Sequence, residues 1–275
     1  MIDLHSHILC GIDDGAKSLD ISVEMARMAV EDGVQVMACT PHIVPGVYLN
    51  EPSDIARRVG ELKAALAGEG IALSLVSGAD VHIAPDLLSR LSSEAPPTLN
   101  GSNYFLFEPP HHVLPPRLVA FSRGLISSGF VPILTHPERL SWVSAHYEII
   151  RELAGEGVLM QVTAGSLTGD FGRSAQKLAD RLVEEGLCDI LASDAHNTEG
   201  RPPGLSKARA IVAERRGDDE AEAVVLGRPR AILANAPVER SVVDRSSRRV
   251  SRSGAAGDRK AGQLQRLLSK MMGGR

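Results

Sequence analysis

The chain has 275 residues, 43% of them hydrophobic, which is enough for one sizeable core and within the length a single barrel domain uses. Its formal net charge of −4 argues against a nucleic-acid partner, and its three scattered cysteines (Cys10, Cys39, Cys188) exclude a disulfide framework or an all-cysteine zinc site. No apolar run reaches the length of a membrane span, and the N-terminus opens on a strand rather than a signal peptide, so a reducing, cytoplasmic setting is expected.

Short apolar runs alternate with helical periodicity along most of the chain. Predicted strands cover Met1–His5, Val34–Cys39, Ala72–Ser77, Tyr104–Glu108, Val131–Thr135, Val158–Val162 and Asp189–Ala192. Between the first two, Leu19, Val23, Ala26 and Val30 form a helical stripe after Ser18 as N-cap. Ile55, Val59, Leu62 and Leu66 do the same after Ser53, and Leu178, Leu182 and Val183 mark a helix before Gly186. The strands read as continuous apolar runs, as expected for a parallel sheet covered on both faces. Seven βα units at this length point to a barrel, with an open doubly wound sheet as the alternative. Pro/Gly-rich loops follow several strands, at 41–52, 109–116 and 200–204, where a scaffold concentrates its binding residues. The barrel is expected to occupy residues 1–237. Residues 238–275 form a basic tail, with ten Lys/Arg against two Asp/Glu from Arg240 onward, so the body is strongly acidic. Ser241 to Gly257 reads as disordered, and Leu264, Leu267, Leu268 and Met271 as one short amphipathic helix.

Six of the seven predicted strands deliver a histidine or carboxylate at the same end. His5 and His7 are two apart, so both face one side of a strand. Asp14 lies in Asp13-Asp14-Gly15, which also reads as ordinary turn chemistry. His42 follows Thr40-Pro41, and Asp80 follows Gly78-Ala79, where it could equally be a helix N-cap. Glu108 ends an apolar run, a costly place for a carboxylate unless it is paired or bound to metal. His136 precedes Pro137-Glu138-Arg139, and Asp194 and His196 close the set. The sixth strand, with Gln161-Val162-Thr163, offers no ligand. Mixed imidazole and carboxylate donors suit Mn, Fe or Zn, and nine of them exceed the needs of one ion but suit two or three. At a parallel barrel such residues would converge on one face.

These motifs resemble the PHP (polymerase and histidinol phosphatase) superfamily. Asp3-Leu-His-Ser-His7, Gly11-Ile-Asp-Asp-Gly15, Thr40-Pro-His42, His136-Pro-Glu-Arg139 and Ser193-Asp-Ala-His196 are similar to those of the capsular-polysaccharide type of manganese-dependent protein-tyrosine phosphatase, over about residues 1 to 236. The resemblance implies a distorted (β/α)7, TIM-like barrel with a trinuclear site. Carried over by position, His5, His7, Asp14, His42, Asp80, Glu108, His136, Asp194 and His196 would be the metal ligands. Arg139 and Arg201 match positions that hold the substrate phosphate. The implied nucleophile is a hydroxide bridging the ions, held by way of Asp80, Glu108, His136 and Asp194, and the implied substrate is a phosphotyrosine protein, a tyrosine kinase that controls exopolysaccharide export. One departure is Asp80, where the family usually has Glu; another is the Pro109-Pro110-His111-His112 loop, less aromatic than the family's.

Read from the residues, Arg139 pairs with Glu138 on the surface as readily as it grips phosphate, and Arg201 reads as an exposed loop residue. His111 and His112 read as surface-loop histidines, with His112 a weak candidate for the leaving-group acid. A cysteine mechanism is set aside, because the positions six beyond Cys10, Cys39 and Cys188 hold Ala16, Pro45 and Asp194 instead of arginine. Three readings stand: a phosphotyrosine phosphatase; a phosphatase for a small monoester such as histidinol phosphate, or a phosphodiesterase; and a non-catalytic metal-binding regulator. The basic tail is either solvated or a weak electrostatic tether to an anionic membrane or acidic partner.

Overall fold

Every strand pairing in the computed structural model, which describes residues 1–240, is parallel. The chain runs β1 (Ile2–Asp3), α1 (Leu19–Glu31), β2 (Val36–Cys39), β3 (His42–Ile43), α2 (Pro52–Gly68), β4 (Ser74–Ser77), β5 (Asp80–His82), α3 (Leu87–Leu91) and β6 (Tyr104–Glu108). It continues through α4 (Leu118–Ser127), β7 (Val131–Thr135), α5 (Tyr147–Glu156), β8 (Leu159–Thr163), α6 (Ala164–Thr168), α7 (Gly172–Glu184) and β9 (Ile190–Ala192). The helices α8 (Ser206–Arg216), α9 (Asp218–Glu222) and α10 (Arg228–Leu233) complete it.

All seven predicted strands are present, and two continue past their predicted ends after a break. Beyond β2 the chain breaks at Thr40-Pro41 and resumes as β3, inside the stretch expected to be a loop, and beyond β4 it breaks at Gly78-Ala79 and resumes as β5. Proline has no N–H for a ladder. At Gly78 a Cβ would lie 2.8 Å from Leu99 Cδ2 and 3.1 Å from Thr40 Cγ2, so a side chain there would have to displace Leu99 where the strands pass the 3₁₀ turn Leu99–Gly101. The breaks split the pairing into a sheet β1-β2-β4 and a sheet β3-β5-β6-β7-β8-β9. The ends meet where His7 N donates to Ala195 O (2.8 Å) and Asp194 N to His5 O (2.9 Å), an isolated bridge at Ser6 and Ala195 rather than a full ladder. This is the α/β barrel of seven units that the alternation predicts, with the distortion that the family resemblance implies.

Strand alternation sorts side chains into two cores. Tyr104, Leu106, Ile133, Leu159 and Ile190 pack with Ile2 and Leu4 inside the barrel, closed below by Leu99 and by Ile232 of α10. Phe105, Phe107, Leu134, Met160 and Leu191 pack instead with the helices, against residues such as Phe121, Leu125, Ile150, Leu153 and Leu182. Ser18 caps α1 as expected, its side chain accepting from Ile21 N. The start of α2 differs from expectation: Glu51 is the N-cap and Pro52 the first helical residue, because proline's fixed φ suits that position and places Ser53 inside the helix. Asn103 N donates to Asn235 Oδ1 (2.8 Å) and Tyr104 Oη to Ala236 O (2.8 Å), fixing the C-terminal segment to the barrel base. Arg240 extends these ties through Asp189 (2.6 and 2.7 Å). The expectations for a disordered basic segment and a short amphipathic helix fall on residues 241–275, outside the described residues. Among the described residues no helix is long and apolar enough to cross a membrane.

Candidate metal centre

The C-terminal strand ends bring all nine predicted ligand residues into one cluster. Register accounts for part of this. His42 and Asp80 are paired Cα partners on β3 and β5, which sets His42 Nδ1 3.4 Å from Asp80 Oδ2. Glu108 lies two residues beyond Leu106 and shares its inward phase. Its Oε2 is 3.6 Å from His42 Nδ1 and its Oε1 3.4 Å from His136 Nε2. His136 and Asp194 each sit just past a strand end in left-handed backbone (φ 33 and 53), a conformation rare for side-chain-bearing residues and concentrated at functional sites. Asp14 reaches the cluster from the loop after β1, its Oδ1 3.6 Å from His42 Nε2 and 3.5 Å from His196 Nε2. Asp80 begins a strand and is fully buried, so it is not a helix cap. Four overlapping groups have ligand atoms within 4.8 Å of one another: His7/Asp14/His42/His196, His5/His7/Asp80, His42/Asp80/Glu108 and Glu108/His111/His136.

Whether a cation fits is decided by tautomers. His5 Nδ1 faces Gln161 Oε1 at 2.9 Å, and that oxygen is identified by the backbone N–H of His136, which donates to it at 3.3 Å. His5 therefore carries its proton on Nδ1. His7 Nδ1 faces the Asp13 carboxylate at 2.7 Å, so it too is protonated there. In the neutral rings the two Nε2 atoms are then lone pairs pointing at each other across 3.1 Å, each 3.3 Å from Asp194 Oδ1. Three converging acceptors need a positive centre between them, either a proton or a metal ion. Asp80 Oδ1 and Oδ2, His42 Nδ1, His136 Nδ1 and His196 Nε2 are also buried without a hydrogen-bond partner, an expensive arrangement unless coordination satisfies it.

The field follows from the same contacts. Burial opposes charge on His7, but Asp13 and Asp194 outweigh it and push its pKa up to about 10. Burial holds His5 and, with Arg139 beside it, His136 below the ordinary histidine range. Burial also opposes ionisation of Asp194, yet His5, His7, Arg201 and Arg139 together hold its carboxyl well below the usual carboxylate range. Burial pushes the Cys39 thiol up to about 12 and the Cys188 thiol well above its ordinary value, which leaves neither as a thiolate nucleophile.

Asp194 divides its carboxylate. Oδ1 faces the histidines, while Oδ2 accepts from both Arg139 Nη1 and Arg201 Nη2. The pairing of Arg139 with Glu138 is not made. Glu138 instead turns into the body, where it accepts from Thr163 N (2.9 Å) and Ser166 Oγ (2.8 Å). Arg201 is not merely exposed: its side chain is 25% accessible and its Nε is buried without a partner. Four contributors escape sequence reasoning. Asp13 supports His7 and caps His42 N, but in Asp-Asp-Gly it could not be told from Asp14. Gln161 orients His5, though its strand offers no ligand. His111 reaches inward to Glu108 Oε1 (2.9 Å) rather than lying free on the surface, and a histidine three residues after a buried carboxylate was the available signal. Phe171 stacks on both arginines and carried no signal. His112 lies off the cluster, its Nδ1 3.4 Å from Ser141 Oγ and its ring 6.3 Å from that of His111.

Known proteins share this framework. The family model described as "Capsular polysaccharide synthesis, CpsB/CapC" matches residues 1–234. Tyrosine-protein phosphatase YwqE of Bacillus subtilis is 34% identical over 219 residues, covering 80% of this chain and 86% of YwqE. Tyrosine-protein phosphatase CpsB of Streptococcus pneumoniae is 28% identical over 238 residues, covering 85% and 98%. A crystal structure from the work on YwqE and CpsB, described there as unique metal-dependent tyrosine phosphatases, superposes with a TM-score of 0.82 at 32% identity, covering 88% of this chain and 97% of that one. The chain belongs to the CpsB/CapC family of capsular polysaccharide synthesis proteins.

Proposed function

We propose that this protein is a metal-dependent protein-tyrosine phosphatase acting on a phosphotyrosine protein of capsular or exopolysaccharide synthesis, a tyrosine kinase being the expected partner. The reading rests on relatives named as tyrosine phosphatases and on one observation above all: Asp194 offers one oxygen to the His5/His7 pair and the other to Arg139 and Arg201. Phosphate-gripping groups and metal-holding groups thereby share a carboxylate.

In this reading His5, His7, Asp14, His42, Asp80, Glu108, His136, Asp194 and His196 hold two or three divalent ions, with manganese the proposed metal. Such ions, when bound, supply an activated water at neutral pH and neutralise charge on the phosphoryl group. Arg139 and Arg201 each present a planar fork to non-bridging phosphoryl oxygens, which fixes the phosphorus over the metal ligands. Asp13 and Gln161 keep the Nε2 atoms of His7 and His5 aimed at the centre by holding a proton on each Nδ1. A phenolate of pKa about 10 leaves more readily than an alkoxide, so the departing tyrosine oxygen needs little proton donation from the protein.

The test is hydrolysis of a phosphotyrosine peptide and of histidinol phosphate at equal manganese, before and after chelation. The expected result is peptide turnover that disappears on chelation and returns with manganese. Preference for histidinol phosphate would assign the small-monoester activity instead, and peptide binding without phosphate release in metal-replete protein would reject catalysis.

A further inference from the structure

The sixth strand, β8, supplies no candidate ligand, but the turn after it carries an aromatic ring at the point where the two arginines meet. Phe171 lies between α6 and α7, half-buried, with the Arg139 guanidinium carbon 4.2 Å from its ring centroid and that of Arg201 5.7 Å from it. Both guanidiniums also donate to the same oxygen of Asp194. Two cations converging on one carboxylate oxygen repel each other, and a carboxylate fixes only the N–H edge it touches. A π face lying beside both planes supplies the missing constraint: it attracts each cation while using none of its donors. Arg201 Nε is buried and without a hydrogen-bond partner, so the guanidinium is not fully used by the protein.

The local backbone is built to fix this ring. Asp170 N donates to Gly165 O at 2.8 Å, Thr168 Oγ1 to Asp170 Oδ2 at 2.7 Å, and Gly172 N to Gly169 O at 3.0 Å. Gly169 and Gly172 take left-handed backbone (φ 94 and 82) that makes the tight reversal possible. A Cβ at Gly165 would stand 2.9 Å from Phe171 Cε2, so the absence of a side chain there seats the ring against α6. The turn leaves the ring little freedom to move away from the arginines.

We propose that Phe171 is a positioning residue for the phosphoryl group: its ring holds the Arg139 and Arg201 guanidiniums side by side in the orientation that grips phosphate. The inference rests on the phosphatase reading for its substrate, but its geometry concerns phosphate binding and can be measured without turnover. A merely space-filling role would be met by any apolar side chain of similar size, whereas the proposed role needs an aromatic face.

The test compares manganese-loaded wild type, Phe171→Leu and Phe171→Trp. Three quantities are read: KM for a phosphotyrosine peptide, Ki for inorganic phosphate, and Kd for inorganic phosphate by calorimetry, with metal content and melting temperature as controls. For Phe171→Leu, KM, Ki and Kd are expected to rise together by about fivefold to tenfold with metal content unchanged, while Phe171→Trp stays within about twofold of wild type. A leucine variant that binds phosphate as wild type does overturns the proposal. So does a tryptophan variant as defective as the leucine one, since the aromatic face would then be irrelevant. If the wild type binds phosphate but does not hydrolyse the peptide, the phosphatase reading fails on its own, and the calorimetric comparison still decides the role of Phe171.

Discussion

Replacing Asp13 with asparagine tests the metal centre at a residue outside the nine proposed ligands. The carboxylate is used completely: Oδ2 accepts from His7 Nδ1 at 2.7 Å and His42 N at 3.1 Å, and Oδ1 accepts from Gly15 N at 2.8 Å. Asparagine has nearly the same shape but one acceptor. If its oxygen faces Gly15, its NH₂ meets two donors, the His7 Nδ1–H and the His42 N–H; if it is flipped, the NH₂ meets the Gly15 N–H. Either way a donor loses its partner in a part-buried site, a penalty of about 1–3 kcal/mol. Loss of a carboxylate behind a coordinating imidazole typically weakens metal binding about 10- to 100-fold. The assay is calorimetric titration of manganese into chelator-stripped wild type and Asp13→Asn, with turnover measured at saturating metal. The expected outcome is a Kd weakened at least about tenfold, with activity partly recovered by excess metal. Manganese affinity within about twofold of wild type would refute the claim that Asp13 orients His7.

Proton and metal compete for the same His7 nitrogen, so the sign of a pH effect follows. With its pKa pushed up to about 10 in the metal-free protein, His7 is charged at neutral pH and must release a proton before Nε2 can coordinate. Apparent manganese affinity should therefore climb as pH rises from about 7 to 9, approaching tenfold per unit, and level off above the His7 pKa; a flat or falling profile by calorimetry contradicts this. Gln161→Leu leaves both His5 Nδ1 and His136 N without their acceptor, and should reduce manganese affinity by about tenfold while also lowering the melting temperature of the metal-free protein, since two buried donors are orphaned. Equal metal affinity would show that Gln161 does not orient His5. Gly78→Ala forces a Cβ to within 2.8 Å of Leu99 Cδ2 at the break in the third strand, and should destabilise the barrel by about 1–3 kcal/mol in chemical denaturation. An unchanged midpoint would mean the 3₁₀ turn yields freely.

The strands were legible because a parallel sheet covered on both faces must be apolar throughout, and runs such as Tyr104–Phe107 and Ile133–Leu134 satisfy that without ambiguity. The candidate ligands were legible for a related reason. A carboxylate such as Glu108, directly after an apolar run, has few cheap alternatives to pairing or coordination. What stayed hidden is the supporting layer. Asp13 and Asp14 are the same residue type in one turn, and only the fold shows that Asp13 lies behind His7 while Asp14 reaches His42 and His196. Gln161 and Phe171 act on partners 156 and 32 residues away in sequence, at separations no local pattern encodes. The break at Thr40-Pro41 was foreshadowed by proline. The break at Gly78 was not, because it depends on Leu99, which approaches from a distant turn.

Closure of the barrel and construction of the site are one event. The seam between the first and last strands is made by His7 N to Ala195 O, Asp194 N to His5 O, and Ser193 N and Oγ to the buried Asp3 carboxylate. Three of those residues, His5, His7 and Asp194, are also the acceptors that converge within 3.3 Å. Burial pushes the pKa of Asp3 up to about 6, against the hydrogen bonds from Ser193 that favour its charge, so the seam holds strained electrostatics on both sides of the backbone. The left-handed backbone at Asp194 adds conformational strain in the same place. A short bridge of backbone hydrogen bonds is a weak way to shut a barrel, and in the metal-free protein the proton held on His7 is the positive centre that joins His5, His7 and Asp194 across it. In the proposed metal-bound state an ion between the three residues would take the place of that proton. On the proposed metal assignment, ion affinity and closure of the seam would be linked, because the groups that would hold the ion are also the groups that shut the barrel.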